Sequence, residues 1–183
     1  MDDKSVGQNI EKNITEIKKS TLGFYLIAFI IVAVMIYFVV SDSWGGNQEN
    51  QISVEGSTFY DTGNQILVDN SGRPYVILFS TTWCSHCQWI ADTFDSLAAE
   101  NFSSQINLQH WEIDIGDNTL TSWTETEVPQ EILNIYKKYN PEGSIPTFVF
   151  GGKYIRIGNG YERQGDLNAE MNDFKLIIGK LIE

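Results

Sequence analysis

Nineteen consecutive residues from Leu22 to Val40, LGFYLIAFIIVAVMIYFVV, carry no charge and show no polar face. At about 1.5 Å per residue a helix of this length spans roughly 28 Å, close to the ~30 Å hydrocarbon core of a bilayer. A helix of that length on a water-soluble domain needs a polar stripe to face solvent, and none is present. The sequence therefore predicts a transmembrane helix over residues 21–40. The alternative is a cleavable signal peptide, whose apolar region runs about 7–15 residues behind a short basic start. Here twenty residues precede a longer run, and Ser41-Asp42-Ser43 makes only a weak cleavage site, so the anchor is the preferred reading.

Lys18 and Lys19 abut the apolar run on its N-terminal side, with Lys4 and Lys12 behind them. Beyond it no Lys or Arg occurs before Arg73. This bias predicts a short cytoplasmic segment over residues 1–20 and an extracytoplasmic remainder, with membrane lipid around residues 22–40. The first twenty residues hold four basic and four acidic groups, so the net charge of −12 sits on the outer portion. Such acidity argues against nucleic acid as a partner and favours a solvated surface. Residues 41–56, SDSWGGNQENQISVEG, are polar and contain glycine, which predicts a flexible linker of about 20–25 Å mean reach. Residues 57–183 remain as one folding unit.

That unit alternates strand and helix signals. Tyr75–Ser80 is a continuous apolar run, as in a central strand covered on both faces. A helix is expected over residues 84–99, where Ile90, Phe94 and Leu97 share a face. Residues 106–115 predict a second strand. Pro129 suits the first turn of a helix carrying Ile132, Leu133, Tyr136 and Tyr139. Residues 147–150 and 153–157 flank Gly151-Gly152, a two-residue hairpin signal. Asp166 suits the cap of a last helix bearing Leu167, Met171, Phe174, Ile178 and Leu181. With a weaker opening strand over 65–68, the order is β-β-α-β-α-β-β-α, an α/β fold.

The chain has only two cysteines, Cys84 and Cys87. A small domain stapled by disulfides shows four or more, so these two are free for chemistry. Residues i and i+3 in one helical turn lie close enough to form a disulfide. Cys84 falls where a buried strand hands over to a helix, and the free N–H groups and dipole there favour an anion. A thiolate so stabilised is the reactive form of the sulfur. Cys87, one turn inside the helix, is the less exposed partner that resolves a mixed disulfide. Zinc is the other common use of this spacing, but four ligands are needed and only His86 and His110 remain as soft donors. A static structural disulfide also stays open.

The segment Trp83-Cys84-Ser85-His86-Cys87 and the downstream Ile145-Pro146-Thr147 resemble the thioredoxin superfamily, over about residues 57–182. The resemblance implies a thioredoxin-like fold, a central mixed sheet flanked by helices, holding a redox-active Cys84–Cys87 disulfide. It implies a cis Pro146 facing the dithiol, and substrate contacts at Trp83, Ile145, Pro146 and Thr147. Cysteine-containing proteins are the implied substrates, with no cofactor and no metal. His86 and Ser85 fall where the family tunes its thiolate, and histidine in the second position accompanies oxidases and isomerases. The family's buried aspartate is replaced by Leu78. Both features point to an oxidase or isomerase outside the cytoplasm, partnered by a quinone-linked membrane oxidase. The rivals are a reductase of the cytochrome-maturation type, fed by a thiol electron transporter, and a thiol-dependent holdase. His110, at a position where thioredoxins often place a lysine, is expected as a partly exposed surface histidine rather than a proton acceptor. The loop over 116–128 is expected to be exposed and inconsequential rather than to frame a substrate groove. Asn101-Phe102-Ser103 is a sequon whose use depends on the host.

Overall fold

Val76, Ile77, Leu78 and Phe79 are all fully buried, which requires cover on both faces of their strand and places it at the centre of the sheet. The computed structural model describes residues 52–183. The expected cytoplasmic segment, the membrane helix over 21–40 and most of the linker lie outside the described residues. Among the described residues no helix is long and apolar enough to cross a membrane. The strands are β1 (Ile52–Ser53), β2 (Tyr60–Asp61), β3 (Tyr75–Ser80), β4 (Asn107–Glu112), β5 (Asp117–Asn118), β6 (Thr147–Phe150) and β7 (Tyr154–Ile157). The helices are α1 (Ser85–Asp95), α2 (Gln130–Tyr139) and α3 (Leu167–Ile182). The sheet runs β1-β2-β7-β6-β3-β4-β5; β3 and β4 are parallel and the other pairs antiparallel. This is the mixed α/β arrangement that the resemblance implies.

Strand alternation divides the core. Val76 and Leu78 pack with Ile90 and Phe94 of α1 and with Phe174, Ile177 and Ile178 of α3. Ile77 and Phe79 face the other way, against Ile132, Tyr136 and Tyr139 of α2. The α1–α3 face also buries charge. Arg156 of β7 lies 2.7 Å from Glu170 and 3.3 Å from Asp173 of α3, all nearly inaccessible. Its guanidinium sits among the rings of Phe59, Phe148 and Phe174 at 4.7, 4.4 and 5.1 Å. The cluster fixes the segment after β7, because Arg156 Nε donates to the Gly158 carbonyl and the Tyr161 amide donates to Glu170. Gly160 lets that segment approach: a Cβ there would lie 2.9 Å from the Arg156 guanidinium.

Several boundaries differ from expectation. Residues 65–68 form no strand. β2 occupies the place beside β7, and Val68 makes one isolated bridge to Pro74 before the Asp69–Arg73 turn reverses the chain into β3. β1 falls inside the expected linker and pairs with β2. The strand expected over 106–115 stops at Glu112, where the Gly116 amide turns back onto the Glu112 carbonyl. The helix expected over 84–99 ends at Asp95 and continues as a 3-10 turn through Ala99. The β6–β7 hairpin closes over three residues rather than two, with Gly151 and Gly152 at φ +60° and +62°.

Candidate active site

β3 ends at Ser80, and four residues later Cys84 caps α1 with extended backbone (φ −81°, ψ 116°). The Cys87 amide donates to the Cys84 sulfur at 3.3 Å, and the Cys84 carbonyl receives Gln88 N–H at 3.0 Å. A thiolate at Cys84 therefore meets a backbone donor and the open end of the helix, with no acidic residue in the first turn to oppose it. Both cysteines are free thiols, 6% and 2% exposed for Cys84 and Cys87. Burial pushes the Cys87 thiol up to about 12, helped by its hydrogen bond with Cys84 and by the Cys84 and Asp114 charges; a Thr81 backbone hydrogen bond works against this. The two sulfurs are thus unequal: one is supported as an anion, the other held protonated. Trp83 stands beside them 72% exposed, and Ser85 is exposed.

The antiparallel register sets Thr147 opposite Phe79, so the Ile145-Pro146-Thr147 segment arrives at the end of β3 from which the cysteine turn departs. The Ile145–Pro146 peptide is cis, Pro146 and Thr147 are buried, and the Pro146 carbonyl accepts from Gly158 N–H at 2.8 Å.

His86 turns to a carboxylate that its own neighbourhood in sequence does not reveal. Its Nδ1 lies 2.8 and 2.9 Å from the two oxygens of Glu162. Asn159 Nδ2 donates to the His86 carbonyl at 2.8 Å and to Glu162 at 2.9 Å, closing a clamp over the cysteine turn. Burial acts against the Glu162 carboxylate, but the hydrogen bonds from Asn159 and His86 hold it below the usual range. A zinc set does not assemble: among the described residues no three His, Cys, Asp or Glu side chains gather around a metal position.

Across the site, the Thr82 amide and hydroxyl donate to Asp114, and despite some desolvation these bonds keep that carboxylate below its ordinary range. Asp114 also lines a cleft of about 390 Å³ with Ile113, Gly116, Glu127, Val128 and Leu133. The loop over 116–128 is therefore more than an exposed connection. It contains β5, is ordered by bonds of Glu125 to Asp117, Asn118 and Thr121, and forms one wall of a cleft beside the cysteine turn.

The expectation for His110 is corrected. It is 2% exposed, not a surface residue, because alternation along β4 turns it to the face occupied by Leu78 and Phe94. Its Nε2 lies 2.8 Å from Ser80 Oγ and its Nδ1 2.7 Å from Asp95 Oδ1. Glu162, Asn159 and Asp114 carry no local signal, since each acts on residues 32 to 76 positions away. The Ser80–His110 contact did carry one: each follows an apolar residue two places earlier, Leu78 and Leu108, on parallel strands.

Comparison with known proteins gives one family. A family model described as Thioredoxin matches residues 58–172. None of the curated proteins matches the chain.

Proposed function

The chain belongs to the thioredoxin family, and from that premise we propose that it is a membrane-anchored extracytoplasmic oxidoreductase that exchanges its Cys84–Cys87 disulfide or dithiol with protein substrates. Thiol–disulfide redox activity follows from the family at that level. The observation that carries the finer reading is the inequality of the two sulfurs, Cys84 capping α1 under the Cys87 amide and Cys87 held as a thiol. Cys84 attacks a substrate disulfide, or is attacked when the site is oxidised, and Cys87 completes the exchange. The substrate polypeptide docks on Trp83 and Ile145, in front of the buried Pro146 and Thr147. The apolar run at 22–40 and the flanking lysines support the anchor and its orientation.

The preferred direction is oxidation or isomerisation, with a quinone-linked membrane oxidase as the redox partner. Its support is His86 between the cysteines and Leu78 in place of a buried carboxylate. One observation favours the rival reductase, fed by a membrane thiol transporter. Glu162 engages His86 Nδ1, so a negative charge offsets whatever the imidazole offers the Cys84 sulfur. Equilibration of the couple in glutathione buffers decides between them. A potential well above about −200 mV supports the oxidase, and one near or below about −270 mV supports the reductase.

A further inference from the structure

Between Arg73 and Lys137 the chain carries nine acidic residues and no lysine or arginine, and the cysteine turn lies inside that stretch. The cleft beside the turn gathers part of this charge. Its walls include the apolar Ile113, Val128 and Leu133, and its carboxylates are Asp114 and Glu127. We propose that this cleft takes an arginine or lysine side chain of the substrate polypeptide, so that proteins with a basic residue close to the reactive cysteine are the preferred substrates. This inference rests on the exchange reaction proposed above and adds to it a substrate class.

The cleft is tied directly to the turn that carries the dithiol. Thr82, two residues before Cys84, donates its amide to Asp114 at 3.1 Å and its hydroxyl as well. Desolvation works against the Asp114 carboxylate, but the Thr82 bonds hold it below its ordinary range, so it is anionic at neutral pH. Burial comes first in keeping Cys87 a thiol, and the Asp114 charge adds to it, which places that charge within reach of the dithiol. Glu127 is exposed and has no hydrogen-bond or ion-pair partner among the described residues. Gly116 brings the two carboxylate segments together: at φ +75° a Cβ there would stand 2.6 Å from the Glu127 Cα. Ile145 approaches the cysteine turn from β6 and Asp114 from β4, the two neighbours of β3, so a polypeptide laid across Cys84 reaches both flanks.

A basic side chain matches both parts of the cleft. Its aliphatic stem packs on the apolar wall while its charge meets Asp114 and Glu127. Arginine suits it best, because its planar fork bonds carboxylates in pairs and stacks on aromatic faces such as the exposed Trp83 next to Thr82. The N-terminus of α2 also opens here, but its roughly half a positive charge is less than the two carboxylates supply. No basic residue of the domain competes in sequence: Arg73 precedes the far end of β3, and Lys137 and Lys138 lie in the last turn of α2. The volume, about 390 Å³, is near the small end of ligand clefts, about 300–1,000 Å³, and suits a side chain rather than a folded segment. Thr82 is two residues from Cys84 and extended chain advances about 3.3 Å per residue, so the basic residue falls about two to four places from the substrate cysteine.

Heptapeptides with a central cysteine, blocked at both termini and joined as symmetric disulfides, test this with arginine, glutamine or glutamate as first and last residues. The reduced full chain, in neutral detergent, supplies two electrons and two protons per disulfide. Its Cys84–Cys87 bond forms, the peptide disulfide breaks, and two peptide thiols leave. Quenched-flow chromatography of those thiols gives the rate. The arginine peptide should react about 10-fold faster than the glutamine peptide, and the glutamate peptide slower than both; about 0.5 M salt should shrink the arginine advantage to about twofold. Glu127→Lys should abolish that advantage and Glu127→Gln should reduce it. Glu55→Lys, the same charge change at the opposite edge of the sheet, should leave it intact. Equal rates for the three peptides, or an arginine advantage that survives Glu127→Lys, give the cleft to some other occupant and overturn the proposal alone. An equal loss in Glu55→Lys overturns it too, by tracing the preference to net charge. No release from any peptide overturns the exchange reaction and the proposal with it.

Discussion

The α1–α3 face of the sheet buries two polar clusters, and they are built on opposite plans. Arg156, Glu170 and Asp173 are sealed on all sides: the guanidinium is ringed by three phenylalanines, both carboxylates are nearly inaccessible, and Thr58 and the Tyr161 amide also bond into the cluster. Ser80, His110 and Asp95 are sealed at one end only, with a partly exposed carboxylate at the other. A closed cluster holds charges in place and serves the fold, here by fixing the segment that carries Asn159 and Glu162 to the active-site turn. An open one keeps contact with solvent at one end.

The largest expected effect breaks the closed cluster. Arg156→Met leaves Glu170 and Asp173 buried without their cation and should cost about 3–5 kcal/mol in urea unfolding. A loss under about 1 kcal/mol would mean that the cluster is not the closed unit described. The open cluster should behave differently. His110→Gln keeps hydrogen-bonding capacity at a site with an exit to water, so its stability cost should stay near 1–2 kcal/mol. A stability loss equal to that of Arg156→Met would erase the distinction.

A third test uses the sulfurs. With its thiol pushed up to about 12, Cys87 exists as thiolate in only about one molecule in 10⁴ at pH 8. Iodoacetamide at that pH should therefore alkylate one cysteine of the folded reduced protein, found by mass spectrometry at Cys84, and both after denaturation. Rapid double labelling of the folded chain would contradict the inequality. The smallest effect belongs to a cluster at the surface turn before β3. The Arg73 backbone amide, with bonds from the Arg73 guanidinium, Ser71 and Asn107, lowers the Asp69 carboxyl from 3.8 to about 2 despite some desolvation. A depressed folded-state value means stabilisation that is complete above about pH 4 and lost as pH falls towards 2. Asp69→Asn should lower stability slightly at pH 6 and leave it unchanged at pH 2. An equal deficit at both pH values would show that charge is not involved.

How much of this was legible beforehand depended on range. β3, α1, the β6–β7 hairpin and α3 were readable because apolar spacing and the Gly151-Gly152 pair act within a few residues. The cysteine turn was readable for the same reason, since strand, N-cap and helix are contiguous. Residues 65–68 misled because their composition suits a strand, but the sheet position beside β7 goes to β2, a tertiary choice. His86 was placed correctly in sequence, yet its partner Glu162 comes from a turn 76 residues away. His110 is the instructive case. Alternation with Leu108 already pointed it inward, and the expectation of a surface histidine overlooked that signal.

The central claim, that Cys84 exchanges disulfides with protein substrates and Cys87 resolves them, is tested most directly by trapping. Cys87→Ala and Cys84→Ala full-length chains are mixed with an unfolded protein carrying a disulfide, and covalent complexes are resolved by non-reducing electrophoresis and mass spectrometry. The account predicts that Cys87→Ala accumulates a mixed disulfide through Cys84 that dithiothreitol releases, while Cys84→Ala accumulates none. Equal trapping by both variants, or none by Cys87→Ala, would contradict it.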